Sequence, residues 1–316
     1  MKQIKIVTFC LSVLVGATSC DFTETCEYIS RLNVYNNWQN HTHIPKTNLV
    51  IAYGEDDETV GPVSTTSNAN RQADSTSFVL HYGGYEVLSF TDEKFSLGVK
   101  VNSESLINAK TAYAYVDMEP VELQDGRVLE NPIFPGYYYS SYNTGVLELR
   151  NSVSCIAMQK LHTRFVRFIY NVIYEYSNTP KVNFITTDLS GVATQLNIKT
   201  GEGVKQSSVT VFSRPEKTEI KNEISGKTHS YFINQISCLS FLPRTSSSVA
   251  VGNNLIVHGF LKDGNIRSAS LDLTDYFDTF TDNYATVTID VVVEKENIHL
   301  ELAAWETGIW KEFIIK

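Results

Sequence analysis

Apolar and polar residues alternate along most of this chain with a period of two, in short runs broken by Gly, Pro, Asn and Asp. That pattern gives a strand one face for a core and one for solvent. Residues 28–38 alternate loosely, with Ile29, Leu32, Val34 and Trp38 apolar, and residues 48–53 form a short apolar run closed by Gly54. Glu55, Asp56, Asp57 and Glu58 then open a stretch that stays polar and aperiodic to Ser75, which predicts an exposed loop. Residues 77–80 and 85–90 flank Gly83 and Gly84, a hairpin signal. Residues 95–101 and 112–118 continue the alternation, with Tyr113, Tyr115 and Asp117 on the face opposite Ala114, Val116 and Met118. Between residues 120 and 145 the strand pattern lapses, around Pro120, Pro132, Pro135 and the cluster Tyr137, Tyr138, Tyr139 and Tyr142.

Strands resume at residues 164–176 and recur at 182–185, 207–212, 230–241 and 255–261. Asp263 and Gly264 predict a hairpin turn into 266–273, and residues 285–293 and 298–305 close the series. No apolar stripe at helical spacing lasts a dozen residues, and only residues 272–280 suit a helical turn. The fold class is therefore all-β, with sandwich architecture. A chain of 316 residues is long enough for two domains. The lapse before residue 145 predicts domains at 28–145 and 146–316. One core would draw on Val34, Leu49, Val79, Val87, Phe90 and Val116, the other on Phe165, Val166, Ile169, Ile256, Val287, Ile289 and Leu300.

The start of the chain departs from this pattern. Lys2 and Lys5 precede a run at residues 6–15 that is apolar apart from Thr8 and Ser12, then small residues to Ser19, then Cys20. This is the layout of a bacterial secretory signal. A Cys directly after small residues resembles a lipobox, with cleavage between Ser19 and Cys20 and acylation of Cys20, although Ala17 stands where Leu is commonest. The run falls short of the roughly 20 apolar residues of a spanning helix. Plain secretion, or an N-terminal buried element, is the alternative. Residues 1–19 are thus expected to be a signal peptide and residues 20–27 an acidic tether to a membrane.

The formal net charge of −9 argues against nucleic acid as a partner. Of the 5 Cys, Cys10 leaves with the signal and Cys20 is acylated. Cys26, Cys155 and Cys238 show no metal or disulfide spacing and are expected to be buried small hydrophobes. His41 and His43 could share a strand face and bind a metal, but no third ligand stands nearby, so a polar loop is the better reading. Residues 55–58 lack the alternating ligands of a calcium loop. Asp272 and Asp275 suit a helix cap better than a glycosidase pair. The Tyr137–Tyr142 cluster with Trp305 and Trp310 could form a sugar platform or pack at a domain junction. No nucleophile-elbow, zinc-protease or phosphate-loop motif occurs, and no metal or cofactor is implied.

Several stretches together resemble the FimB-like fimbrial anchor lipoproteins of Bacteroidales, within the fimbrillin group. They are residues 34–38, Pro45 with the run to Tyr53, 84–88, 164–176, 189–193, 238–243, 255–261 with Asp263 and Gly264, 271–275 and 300–305. Leu242 stands where the family usually carries a Phe-Gly pair. The resemblance implies two transthyretin-like Greek-key β-sandwich domains on a lipid anchor at the outer membrane, at the base of a fimbrium. Its expected partners are the membrane and fimbrillin-type pilus subunits, which join by donating a strand to a neighbour's sheet. Polymerising members are usually cut after an Arg, losing the first strand; here Arg31 lies within the first predicted strand and could be such a site, and an anchor would avoid the cut.

The expected function is a non-enzymatic, lipid-anchored fimbrial anchor or assembly subunit. Its rivals are a glycan-binding lipoprotein of a nutrient-uptake system, with a glycan or host ligand, and a glycan hydrolase. The chain ends on Ile309, Trp310, Phe313, Ile314 and Ile315, bulkier than a solvated terminus. This segment suits the last strand of its own sandwich or, as the second reading, a strand-exchange segment.

Overall fold

A computed structural model describes residues 29–38, 41–55, 58–66, 73–94, 98–102, 109, 112–123, 126–221, 228–242 and 252–308. In chain order the strands are β1 (Ile29–Asn37), β2 (Thr47–Tyr53), β3 (Thr59–Thr66), β4 (Ala73–His81), β5 (Gly83–Thr91), β6 (Val99–Val101), β7 (Tyr113–Val116), β8 (Met118–Glu122), β9 (Val128–Pro132), β10 (Tyr139–Leu147), β11 (Ser152–Met158) and β12 (Lys160–Leu161). They continue as β13 (Arg164–Tyr174), β14 (Val182–Ala193), β15 (Gln195–Asn197), β16 (Glu202–Gly203), β17 (Ser208–Ser213), β18 (Glu216–Lys221), β19 (Thr228–Cys238), β20 (Ser240–Phe241), β21 (Asn254–Leu261), β22 (Ile266–Asp272), β23 (Tyr284–Val293) and β24 (Ile298–Thr307). The helix α1 (Thr274–Asp278) is a single short turn. The all-β sandwich class read from the alternation is the class observed.

The chain separates into two compact units that share it unevenly. One comprises Met1–Phe90, Leu106–Ala109 and Ser141–Gln159; the other comprises Thr91–Ser105, Lys110–Ser140 and Lys160–Lys316.

In the first unit, β1 runs between β11, parallel to it, and β4, antiparallel to it. The second layer is ordered β10-β5-β2-β3. Leu32, Val34, Phe78, Leu80, Cys155 and Ala157 from the first layer pack with Val50, Ala52, Tyr85, Val87 and Leu147 from the second.

The second unit builds one layer in the order β18-β19-β13-β23-β24 and another in the order β17-β14-β21-β22, with β20 also on β14. Its core includes Val166, Phe168 and Tyr170 of β13, Val287 and Ile289 of β23, and Ile185 and Val257 of the facing layer. A four-stranded sheet β16-β15-β7-β6 and the ribbon β8-β9 accompany it.

Several local expectations change. The polar stretch after Glu55 contains β3, an edge strand on β2, and the start of β4. An edge strand has one solvated face and one solvated flank, so it lacks an apolar period. Gly83 and Gly84 do not close a paired hairpin: β4 joins the layer of β1, whereas β5 joins that of β2. The chain turns a corner there, at Gly83 with φ +131°, which favours glycine. Glu55 and Glu58 hold that corner, Glu55 Oε1 accepting from the Gly84 N–H (2.7 Å) and Glu58 Oε2 from the His81 N–H (3.0 Å). The proline-rich stretch carries β8, β9 and β10. On β4 it is Phe78 and Leu80 that are buried while Val79 is 51% exposed, and on β2 Asn48 and Val50 are buried rather than Leu49. Val116 packs in the second unit.

Candidate functional site

The first strand decides what the three-stranded layer can do. Ser30, Leu32, Val34 and Asn36 point inward and are at most 5% exposed, followed by Trp38 at 2%. Leu32 and Val34 each contribute about 1.5–3 kcal/mol by burial. The outward positions Ile29, Arg31 and Tyr35 are exposed.

β1 is paired along its whole length on one side and most of it on the other. Cα partners run from Ile29↔His81 to Asn37↔Ala73 against β4, and from Arg31↔Ser152 to Asn37↔Met158 against β11. The ends are tied as well: Ser30 Oγ donates to the Glu148 carbonyl (2.6 Å), and the Gln159 N–H donates to the Asn37 carbonyl (3.1 Å). Without β1, β4 and β11 would each expose a row of backbone donors and acceptors to a vacant slot, a template for another strand.

Arg31 lies inside this strand. Its side chain is exposed, but its N–H donates to the Asn151 carbonyl (3.0 Å), and Leu32 on the far side of the peptide bond is wholly buried. A protease needs an extended, unpaired substrate strand, and here the backbone is engaged on both flanks.

The other sequence candidates are absorbed by the fold. His41 Nε2 donates to the Gln159 carbonyl (2.7 Å), at the same end of β1, and His43 Nδ1 lies 3.0 Å from the Thr42 hydroxyl. Among the described residues no group of three or more His, Cys, Asp or Glu is placed to hold a metal. Asp272 Oδ1 accepts from the Thr274 N–H (2.9 Å) just ahead of α1, whose N-cap position is Leu273 and carries no side-chain cap bond. Tyr138 and Tyr139 are 1% exposed, Tyr137 packs on Phe165 (4.9 Å between ring centroids), and the Tyr142 hydroxyl donates to Glu86 (2.6 Å). Trp305 packs edge-on against Phe277 and Phe280. These aromatic rings serve packing, not an open platform. Cys155 and Cys238 are buried and free, as expected of small hydrophobes.

Cys20, Ser19 and Cys26, and the terminal Ile309, Trp310, Phe313, Ile314 and Ile315, lie outside the described residues. No helix among the described residues is long and apolar enough to cross a membrane.

One arrangement escaped the sequence. On the outer face of the β14-β21-β22 layer, the Ser268 hydroxyl lies 2.6 Å from His258 Nδ1, and Asp188 Oδ2 lies 3.1 Å from His258 Nε2. The residues come from three strands, 70 and 10 positions from His258, so linear spacing carries no trace of it. Relative to a hydrolase triad the two ring nitrogens are exchanged, and the line reads as a cross-strand polar ladder.

No protein-family model matches the chain, and no curated protein matches it. Solved structures do. A candidate adhesin from Bacteroides ovatus is 13% identical with a TM-score of 0.55, over 89% of this chain and 94% of that one. A candidate adhesin from Bacteroides thetaiotaomicron is 11% identical with a TM-score of 0.57, over 88% and 97%. A candidate polysaccharide-binding protein from Bacteroides thetaiotaomicron is 9% identical with a TM-score of 0.51, over 90% and 99%. At such identities the likeness is one of fold.

Proposed function

We propose that this chain is a non-enzymatic cell-surface protein of the adhesion and fimbrial type, anchored to the outer membrane through a lipid on Cys20. In this reading it holds a fimbrium at its base and keeps its first strand. The observation that carries it is β1 itself, a central strand paired on both flanks with the Arg31 N–H bonded to the Asn151 carbonyl, which keeps the peptide bond after Arg31 out of an extended, unpaired conformation. A polymerising subunit would give up this strand to make room for a neighbour's; an anchor keeps it. The apolar run ending at Cys20, the resemblance to fimbrial anchor lipoproteins and the fold shared with candidate adhesins support the same reading. A division of the chain into two β-sandwich domains belongs to the proposal. The glycan-binding rival loses its main support, because the tyrosines and Trp305 that would form its platform are packed.

The test compares cells carrying the wild type and Cys20→Ser, followed by palmitate labelling, N-terminal sequencing of the mature protein and counting of cell-attached fimbriae. We expect a labelled, membrane-bound wild type that is uncut at Arg31, and an unlabelled variant released with its fimbriae. Unchanged palmitate incorporation in the variant, or a wild-type protein beginning at Leu32, overturns the reading.

A further inference from the structure

The slot between β4 and β11 contains a feature that backbone pairing does not require. Asn36, on the inward face of β1, is wholly buried, and all its side-chain groups are bonded. Its Nδ2 donates to Thr65 Oγ1 (3.3 Å) and Asp74 Oδ2 (3.1 Å). Its Oδ1 accepts from Ser89 Oγ (2.8 Å) and Gln159 Nε2 (3.0 Å). Two residues on, Trp38 Nε1 donates to the other oxygen of the same carboxylate, Asp74 Oδ1 (2.7 Å). The strand therefore presents an amide and an indole to a polar pocket built from β3, β4, β5 and the residue after β11.

This pocket bears on register. A slip of one residue turns every side chain of a strand to the opposite face and is excluded by burial. A slip of two keeps the faces, so the apolar part of the slot, which takes Leu32 and Val34, discriminates poorly against it. The polar pocket does discriminate, together with the Ser30 bond to the Glu148 carbonyl at the other end of the strand. A two-residue slip brings Val34 or Trp38 to the place of Asn36, leaves the buried Ser89 hydroxyl without its acceptor, takes one of three acceptors from the Gln159 amide, and takes a donor from the half-buried Asp74. Each buried group so stranded is costly. An all-apolar strand from another protein meets the same penalty.

We propose that the β4/β11 slot is a strand-binding site that reads sequence, with the pocket of Thr65, Asp74, Ser89 and Gln159 selecting a strand carrying Asn-x-Trp. Its occupant is this chain's own β1. Asn36 and Trp38 are the specificity-determining pair, fixing β1 in register and protecting it against replacement by an apolar donor strand. The inference rests on the preceding section only in naming a pilus subunit as the source of such a rival strand.

The test nicks the purified chain at a protease site built at Thr42 and His43, both exposed, so that β1 is held without a covalent link. Labelled peptides covering residues 29–42 then compete for the slot, followed by fluorescence anisotropy. The native peptide should exchange in, and its Asn36→Leu form should bind about 10- to 100-fold more weakly. Equal or tighter binding of the leucine peptide overturns the proposal. Should the nicked chain come apart, the intact chain decides by urea unfolding. Asn36→Leu should lower the folding equilibrium constant of the first unit by a similar factor, whereas Leu32→Met, a volume-conserving swap in the apolar part of the same slot, should lower it less. A harmless Asn36→Leu, or an equal loss from Leu32→Met, overturns the inference. Neither measurement involves a lipid or a fimbria, so it stands or falls apart from the anchoring role.

Discussion

Acid should destabilise the second unit through one residue, His162. The ring is 6% exposed, its Nε2 lies 2.7 Å from the Ser140 hydroxyl, and the Tyr138 ring lies 6.2 Å away between centroids. Burial, followed by the cations Lys160 and Arg164, lowers its pKa to about 3. In the unfolded chain the same group titrates near 6.5. Between these values the unfolded state holds a proton that the native state does not, so stability rises with pH and is lost as pH falls from about 6.5 towards 3. A difference of one proton corresponds to about 1.4 kcal/mol per pH unit, or about 3 kcal/mol between pH 6 and pH 4. Carboxylates titrate in the same window, so the informative quantity is the difference between wild type and His162→Gln, which keeps a neutral polar group. Urea unfolding at several pH values, read by tryptophan emission in a Trp38→Phe background, isolates the signal of Trp305 and Trp310. We expect the advantage of wild type over His162→Gln to shrink steadily with acid at about that slope. Parallel curves, or a slope of opposite sign, would refute the reasoning.

Two further outcomes are expected. Burial pushes the Cys238 thiol up to about 12 and also raises that of Cys155, so iodoacetamide at pH 8 should leave both unmodified in the native protein and label both in urea, as read by peptide mass spectrometry. β24 pairs with β23 from Ile298 to Thr307, with a register shift between Thr288 and Ile289, and this pairing does not involve the last eight residues. Removing residues 309–316 should therefore leave the thermal midpoint unchanged and, if the segment serves strand exchange, abolish association with the pilus subunit; a lower midpoint would assign it to its own sandwich.

The class of fold was legible because alternation is a local property of strands. β1, β13, β21, β23 and β24 stand close to where the pattern placed them, and the turn at Asp263 and Gly264 is present, with φ +87° at Gly264. Parity failed where an apolar triplet removed it: Phe78, Val79 and Leu80 cannot say which face is inward. It failed again at Asn48, whose burial depends on Ser89, 41 residues away. The corner at Gly83 resembles a hairpin in sequence because both need a glycine; the difference lies in Glu55 and Glu58, which act from the preceding loop. The slot around β1 was only half visible. Its strand could be read, but its flanks lie about 45 and 120 residues downstream, and nothing local reveals that a parallel partner will arrive.

That late partner has a consequence for how the protein comes to be folded. Arg31 pairs with Ser152, 121 residues further along, so a growing chain exposes β1 for about 6–24 s at ordinary synthesis rates before β11 exists. The β4 side can close early; the β11 side cannot, and Gln159, which completes the bonding of Asn36, comes later still. Within the first unit the first described strand to be made is thus among the last to be locked, and the nascent polypeptide stays threadable until about half of it has been synthesised.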